Sequence, residues 1–266
     1  MGWESHSQVQ QDAVIHSMWH EPGYFVDLAA NDWQKFSNSY SLELHDGWKG
    51  MCIEPNIKYW DGLLQRSCEL VGVVVTDKED ELVHFALKDE LGGVIDENTD
   101  NSHPQPETKS VEYASTTVGT IFSHFSVPKL IHYMSVDVEG AESMILSTFP
   151  FHEYKVYIFT IERPKSDVLR ILEHQGYVEV GILGTFGDTC YLQRSTPDFW
   201  HILERGQRKV AEIAGDSTYF PLKNMKPIRT TNNHATGVRC PYYLLDKCTG
   251  LMPWDLSYER VVERIR

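Results

Sequence analysis

One short apolar run that ends in small residues, followed further along by an acid, constrains the fold more than any other feature. Residues 24–28 predict a buried strand, and Ala29-Ala30-Asn31-Asp32 follow it at once. A helix is predicted over residues 33–45 and a second strand over residues 50–53, which ends on Glu54. Strand, tight turn, helix, strand and acid is the order of a nucleotide-binding half-domain.

The same residues favour an adenosine ligand without phosphates. An acid at the tip of the second strand can accept hydrogen bonds from ribose hydroxyls. The G-x-G-x-x-G pattern that seats a pyrophosphate on a helix N-terminus is absent from the first turn. S-adenosylmethionine (SAM) is the common ligand of this kind. The alternative is an ordinary βαβ unit in which Asp27 and Glu54 cap loops.

Composition limits the partners and the number of domains. The chain has 266 residues, 41% of them hydrophobic, which is enough for one large α/β domain or a domain with an appendage. Its net charge is −14 and its pI about 5.2, so the surface repels nucleic-acid phosphates and anionic membranes. We therefore expect neither nucleic acid nor a membrane as partner.

The cysteines and the first residues predict a cytoplasmic protein. Residues 2–11 are polar, with no apolar segment of a signal peptide after them. Cys52, Cys68 and Cys190 lie in or beside apolar stretches, so we expect them to be reduced core residues. Cys240 and Cys248 could pair in an oxidising compartment.

Further elements follow in an α/β order. We expect an amphipathic helix over residues 8–20, a helix over 57–66 capped by Asn56, a third strand over 70–75, a strand over 82–87 and a helix over 118–125. The third strand leads to Asp77, near where an adenine would lie, although Asp77 could equally form a turn. Residues 88–109 are polar and predict either a mobile lid or disorder.

Acids gather at the end of the fourth strand, residues 130–138. Asp137, Glu139 and Glu142 lie within a few positions, and Gly140-Ala141 open the next helix. Asp137 should reach the cleft, whereas Glu142 could simply be a helix N-terminal acid.

The last part of the sheet predicts an antiparallel end. A fifth strand over residues 155–161 ends on Glu162, a helix over 167–174 begins after Ser166, and strands over 178–183 and 189–193 form a hairpin. We therefore predict the seven-stranded, Rossmann-like class I sheet of SAM-dependent methyltransferases, with helices on both faces and an irregular C-terminal extension. Its domains would be an N-terminal helical cap (1–22), the SAM-binding domain (23–194) and an extension (195–266), which could be a substrate-side cap or the arm of a homodimer. Helices are expected over residues 197–207 and 257–266.

Several motifs in this order resemble the FkbM-type methyltransferases over about residues 23–193. The family's V-D-x-G-A-N-D is similar to residues 26–32, its S-N-x-Y to residues 37–40, its G-W-x-G-x-x-I-E-P-N to residues 47–56, and its S-x-D-V-E-G-x-E to residues 135–142. Glu162 matches the family's glutamate after the fifth strand. The departures are Ala29, where the family usually has glycine, and Trp33, where it often has a small residue; Trp33 could narrow or cover the pocket.

The resemblance implies which residues meet the cofactor. It implies SAM contacts at Asp27, Ala29, Asn31, Ser37, Asn38 and Asp137, ribose recognition by Glu54, and an adenine-side contact at Asp77. It also implies methyl transfer to a hydroxyl oxygen of a small molecule such as a sugar or natural product.

Two mechanisms could remove the proton from the acceptor hydroxyl. Asp137 is the first candidate for the base and Glu139 the second. Alternatively, Asp137, Glu139 and Glu162 could bind Mg²⁺ or another hard divalent cation that lowers the pKa of a diol.

Two other classes of function compete. The fold could persist without activity as a binding or scaffold protein, which Ala29 and the long extension would favour. A nucleotide-dependent oxidoreductase is the third reading, and the missing glycine pattern argues against it.

Overall fold

Residues 2–215 of the computed structural model are described here, and a seven-stranded mixed sheet forms their centre. Its strands are β1 (Tyr24–Leu28), β2 (Lys49–Ile53), β3 (Glu69–Val71), β8 (Leu130–Val136), β9 (Lys155–Ile161), β10 (Tyr177–Leu183) and β11 (Asp188–Gln193). They lie in the order β10-β11-β9-β8-β1-β2-β3, and β11 runs antiparallel to the other six strands.

The register of the parallel strands brings their carboxyl ends level with one another. Leu28 pairs with Ile53 on one side and Val136 on the other, and Val136 pairs with Ile161. Residues that follow these strands therefore meet at one edge of the sheet, which is where open α/β sheets bind ligands.

Helices cover both faces of the sheet, as predicted. The helices are α1 (Gln11–Met18), α2 (Tyr40–Asp46), α3 (Trp60–Leu63), α4 (Val118–His124), α5 (Glu142–Ser147), α6 (Ser166–His174) and α7 (Phe199–Ala214). Alternate strand residues enter two separate cores: Val26 and Leu28 pack with α4, α5 and α6, whereas Phe25 packs with α1, α2, α3 and α7.

The predicted helix over residues 33–45 is wrong in its first half. Asp32 Oδ1 accepts hydrogen bonds from the amides of Gln34 (3.0 Å) and Lys35 (2.8 Å), which closes a turn. Phe36 then adopts a φ of 61°, which a helix does not allow. The helix begins only at Tyr40.

The predicted third strand over residues 70–75 is split, and its second half joins a small sheet. Gly72 lies so close to the Trp60 ring that a Cβ there would be 2.2 Å from Cζ2. After this contact the chain leaves the main sheet, and Val74–Val75 (β4) pairs with Ser110–Thr116 (β7). Leu82–Ala86 (β5) and Gly93–Val94 (β6) complete a four-stranded sheet, of which the sequence predicted β5 and, as the end of the third strand, β4.

Residues 88–109 contact the loops that follow β8 and β9. The Asp100 amide donates to the Glu139 carbonyl (2.9 Å), and Lys165 Nζ donates to the Asn98 carbonyl (2.7 Å). A 3-10 helix, Asp89–Leu91, lies within this segment, and Lys58 forms an ion pair with Asp89.

Cys52 and Cys68 form a disulfide, which corrects the expectation that both are reduced. The bond ties β2 to the residue before β3. Cys190 is free and buried, as predicted. Disulfides are typical of oxidising compartments, so the cysteine argument for a cytoplasmic protein loses its support and that location stays a prediction.

Helix α7 is longer than predicted and packs on α1 and β10. The predicted helix over residues 257–266, most of the proposed extension and the pair Cys240 and Cys248 lie outside the described residues. Within residues 2–215, no helix has both the length and the apolar character to cross a membrane.

Candidate active site

A cavity of about 630 Å³ opens at the carboxyl ends of β1, β2, β8 and β9. Its volume lies within the range of small-molecule sites. Seven of the predicted site residues line it: Asp27, Ala29, Asn31, Asn38, Glu54, Asp137 and Glu139. Glu162, the third predicted metal ligand, lines it as well.

The turn after β1 has a left-handed backbone at two positions. Ala29 has a φ of 64° and Asn31 a φ of 53°. The amides of Ala29 and Ala30 both donate to the Ile53 carbonyl, at 3.0 and 3.1 Å. An alanine in this conformation is strained, and such strain is a feature of functional sites.

Glu54 is the buried acid beside this turn, with 3% of its surface exposed. Its two oxygens accept from the amides of Asn31 (2.8 Å) and Asn56 (2.7 Å). Burial raises the pKa of Glu54 to about 7, against the opposing effect of these two hydrogen bonds. A carboxylate oxygen has a second lone pair, so each can still accept one more donor from the cavity.

Asp27 is held from behind by a polar network. Ser39 donates to its carboxylate, and Arg66 Nη2 donates to Ser39 Oγ at 2.9 Å. Burial raises the pKa of Asp27, while the Arg66 charge lowers it. Ser37 belongs to this network, since its hydroxyl accepts from Arg66 Nη1 (3.1 Å), and it is not among the cavity-lining residues.

Asn38 presents an open acceptor at the cavity wall. Its Nδ2 donates to Ser135 Oγ at 2.9 Å, which fixes the amide. Its Oδ1 is buried and has no hydrogen-bond partner within residues 2–215. A buried acceptor without a partner is costly, so this atom is available to a donor group of a ligand in the cavity.

Asp137, Glu139 and Glu162 form an acidic cluster, with one oxygen of each within 4.8 Å of the others. Burial, followed by the Glu162 charge, raises the pKa of Asp137 well above its usual range. The same two causes, in the same order, raise the pKa of Glu139 to about 7. Both carboxyls therefore hold a proton more tightly than an exposed carboxyl does.

Arg163 already supplies positive charge to this cluster. Its Nη2 lies 2.7 Å from Glu162 Oε1, 3.1 Å from Glu139 Oε2 and 2.7 Å from Asp100 Oδ2. Oxygen-only ligands suit a hard cation, but a guanidinium neutralises two of the three predicted ligands here. The three carboxylates are ligands of the type that Mg²⁺ prefers, and the Mg²⁺ site stays a prediction.

Three other residues take positions that do not favour the roles considered for them. Glu142 Oε1 accepts from the amides of Val138 (3.3 Å) and Gly140 (3.2 Å), so it caps the turn before α5. Asp77 does not line the cavity, because the chain turns into the small sheet at β4. Trp33 packs on Gly62 and Tyr40 rather than covering the cavity.

The apolar end of the cavity and one polar pair were missed from the sequence. Val74, Phe85, Leu91 and Val94 line the apolar end, and they come from the small sheet and the segment over residues 88–109. Gln11 Nε2 donates to Asp188 Oδ1 at 3.0 Å at the opposite end. The alternation of residues 82–87 predicts a strand, but no local pattern shows that this strand faces the cofactor cleft.

Comparison with known proteins places the chain in a class and then in a family. The methyltransferase FkbM domain matches residues 27–179, which is more than half of the chain. The protein is therefore a methyltransferase, and it belongs to the FkbM family. A search of curated proteins finds no match. Among solved structures, a precorrin-6y C5,15-methyltransferase from Geobacter metallireducens GS-15 is similar at 9% identity and a TM-score of 0.38, over 71% of this chain and 89% of that one.

Proposed function

We propose that this protein is a SAM-dependent methyltransferase that methylates a hydroxyl oxygen of a small molecule. The observation that carries the proposal is Glu54, a buried acid with free acceptor capacity at the strand end beside the Ala29–Asn31 turn. Family membership supports SAM use. The strand order, with its antiparallel β11, supports the Rossmann-like class I arrangement predicted from the sequence.

The residues along the cavity fit the parts of SAM. Glu54 would accept the ribose hydroxyls, and the small Ala29 would leave room for the methionine part. Asn38 Oδ1 would accept a hydrogen bond from the methionine ammonium. The apolar end near Phe85 and Val94 would contain the adenine in place of the predicted contact at Asp77. The mixture of an apolar slot and a few directed polar groups is typical of cofactor sites.

The protein's task in such a reaction is to position the acceptor and remove its proton. Bound SAM supplies an electrophilic methyl group on a sulfonium. The acidic end of the cavity would hold the acceptor oxygen in line with that methyl group, and alignment of this kind is a large part of catalysis.

Glu162 is the acceptor for the hydroxyl proton that the geometry favours. Its Oε2 is buried and accepts no hydrogen bond from an amide or hydroxyl group within residues 2–215, and the Asp137 carboxyl lies within hydrogen-bond reach of Glu162. Burial and then the Glu162 charge disfavour the ionised form of Asp137, the first candidate from the sequence, and so raise its pKa. Glu139, the second candidate, and Glu162 both bind Arg163 Nη2, at 3.1 and 2.7 Å, but Glu162 does so through Oε1 and keeps its buried Oε2 outside that contact. As the new O–C bond forms, the S–C bond of the sulfonium would break and release S-adenosylhomocysteine, and the hydroxyl proton would pass to Glu162 Oε2.

Enclosure and charge both favour a small acceptor. Residues 88–94, Asp100 and Asn101 line the cavity from the small-sheet side, and its volume of about 630 Å³ is that of a small-molecule site. The net charge of −14 also disfavours nucleic acid.

Transfer of a labelled methyl group tests this proposal. The protein is incubated with methyl-labelled SAM and pools of small alcohols and sugars, amines, carboxylic acids and RNA. We expect label only in the hydroxyl pool. We expect Glu162→Gln to lower kcat on the order of 10²–10⁴-fold with unchanged SAM affinity. Label in amines or RNA, or full activity of Glu162→Gln, would refute the acceptor class or the base respectively.

A further inference from the structure

A second pocket, separate from the methyltransferase cavity, lies in the groove between α1 and α7. Its volume is about 320 Å³, and it shares no lining residue with the active-site cavity. We call it the α1–α7 pocket; it is lined by Trp3, Ala13, His16, Ser17, His20, Arg205, Arg208, Lys209 and Glu212.

Positive charge is concentrated in this pocket. Arg205, Arg208 and Lys209 are spaced i, i+3 and i+4 on α7, so they share one face of the helix. Glu212 is the single acid among the lining residues. Such a cluster is notable on a chain with a net charge of −14, because the overall field does not favour anions.

Arg205 is the cation that lacks a counter-charge. Its Nη2 donates to the Met18 carbonyl at 2.7 Å, which holds the guanidinium at the C-terminal end of α1. Its Nε is buried without a hydrogen-bond partner, and Arg205 forms no ion pair within residues 2–215. A guanidinium has five N–H donors, so most of its capacity is open.

The other two cations are held only by exposed neighbours. Arg208 pairs with Glu204 at 2.9 Å, and Lys209 pairs with Glu212 at 3.0 Å. Exposed pairs of this kind contribute little, about 0–1 kcal/mol, so a ligand anion can compete for these side chains. On the α1 side, Trp3 stacks on His16 at a ring distance of 4.5 Å and gives the pocket a flat wall.

We propose that the α1–α7 pocket binds a small phosphate-bearing anion, either free phosphate or a phosphomonoester, with Arg205 as its main ligand. Arginine forks match phosphate oxygens, and two further cations suit a dianion better than a single carboxylate. The volume suits one phosphate group with a small substituent and is too small for a dinucleotide.

Calorimetric titration of the full chain at low salt, with inorganic phosphate, phenyl phosphate and acetate, tests the proposal. We expect phosphate or phenyl phosphate to bind and acetate to bind at least about tenfold more weakly. Tighter binding of phenyl phosphate would identify a phosphomonoester, and tighter binding of phosphate the free anion. Absence of binding by both, or equal binding of acetate, would overturn the proposal.

Variants locate the binding. Arg205→Gln removes the open guanidinium, and the double variant Arg208→Gln/Lys209→Gln keeps the Met18 contact, so one variant remains informative if the other fails to fold. Each should weaken phosphate binding at least about tenfold. Lys155→Gln, an exposed change outside the pocket, is the matched control and should leave binding unchanged. Equal affinity of the pocket variants and the control would overturn the assignment.

Discussion

Ala29 holds a left-handed backbone conformation, with a φ of 64°, that a glycine would adopt without strain. The left-handed region costs an L-residue about 1–2 kcal/mol, and a glycine at this position would relieve that strain. Part of the relief is offset because glycine makes the unfolded chain more flexible. We expect Ala29→Gly to raise the free energy of unfolding by about 0.5–1 kcal/mol in chemical denaturation.

The neighbouring Ala30 provides a matched control. It is buried and lines the same cavity, but it is not among the residues with a positive φ. Ala30→Gly should therefore destabilise the protein by about 0.5–1 kcal/mol. Stabilisation by Ala30→Gly, or destabilisation by Ala29→Gly, would contradict this account of the turn.

The raised pKa of Glu54 predicts that the affinity for the cofactor depends on pH. Burial raises its pKa to about 7, and ribose hydroxyls donate best to the ionised carboxylate. The ionised fraction is small at pH 6 and large at pH 8, so the affinity for S-adenosylhomocysteine should rise with pH, by up to about tenfold.

The variant Glu54→Gln isolates this effect from the other titrating groups. Its amide keeps the shape of the side chain and does not ionise, so binding should be weaker and nearly independent of pH. Calorimetry at pH 6, 7 and 8 compares the two proteins. An unchanged pH profile in the variant would show that another group, such as Glu139, is responsible.

The covering segment, residues 88–109, depends on one glycine in the turn before α5. Gly140 has a φ of +95°, and a Cβ there would lie 2.7 Å from the amide nitrogen of Asp100. Asp100 in turn pairs with Arg163 at the acidic cluster. We expect Gly140→Ala to cost about 1–3 kcal/mol of unfolding free energy and to weaken cofactor binding.

Gly119→Ala is the control at the same scale. Gly119 lies in α4, where a Cβ would meet Pro150 at an ordinary 3.5 Å. Alanine should stabilise this helix by about 0.5–1 kcal/mol, with cofactor affinity unchanged. If the two substitutions had the same effect, the contact between Gly140 and Asp100 would not hold the covering segment.

At the same scale, the sequence predicts elements best where the pattern is local. The strands β1, β2, β8 and β9 were predicted within about two residues, because each is a continuous apolar run between polar turns. The helix over residues 33–45 failed because Asp32 captures two amides that a helix would use. The third strand failed because Gly72 packs on Trp60, a contact that no local pattern reveals.

Across the whole molecule, the site residues at strand ends were predictable and the cavity walls were not. Glu54, Asp137 and Glu162 follow strands whose register brings their ends together. Ser37 does not line the cavity, because the distant Arg66 donates to its hydroxyl behind Asp27. The apolar wall of the cavity comes from β4, β5 and β6, whose pairing depends on the long-range strand β7.

The central claim, that Glu54 and the turn after β1 bind SAM, has one most direct measurement. Purified protein is titrated calorimetrically with SAM and S-adenosylhomocysteine, with and without Mg²⁺, beside the variant Glu54→Ala. We predict one-to-one binding with Kd on the order of micromolar, independent of Mg²⁺, and at least tenfold weaker binding by the folded variant, about 1.4 kcal/mol. No binding of either ligand, or equal affinity of Glu54→Ala, would contradict the account and favour an inactive scaffold on the same fold.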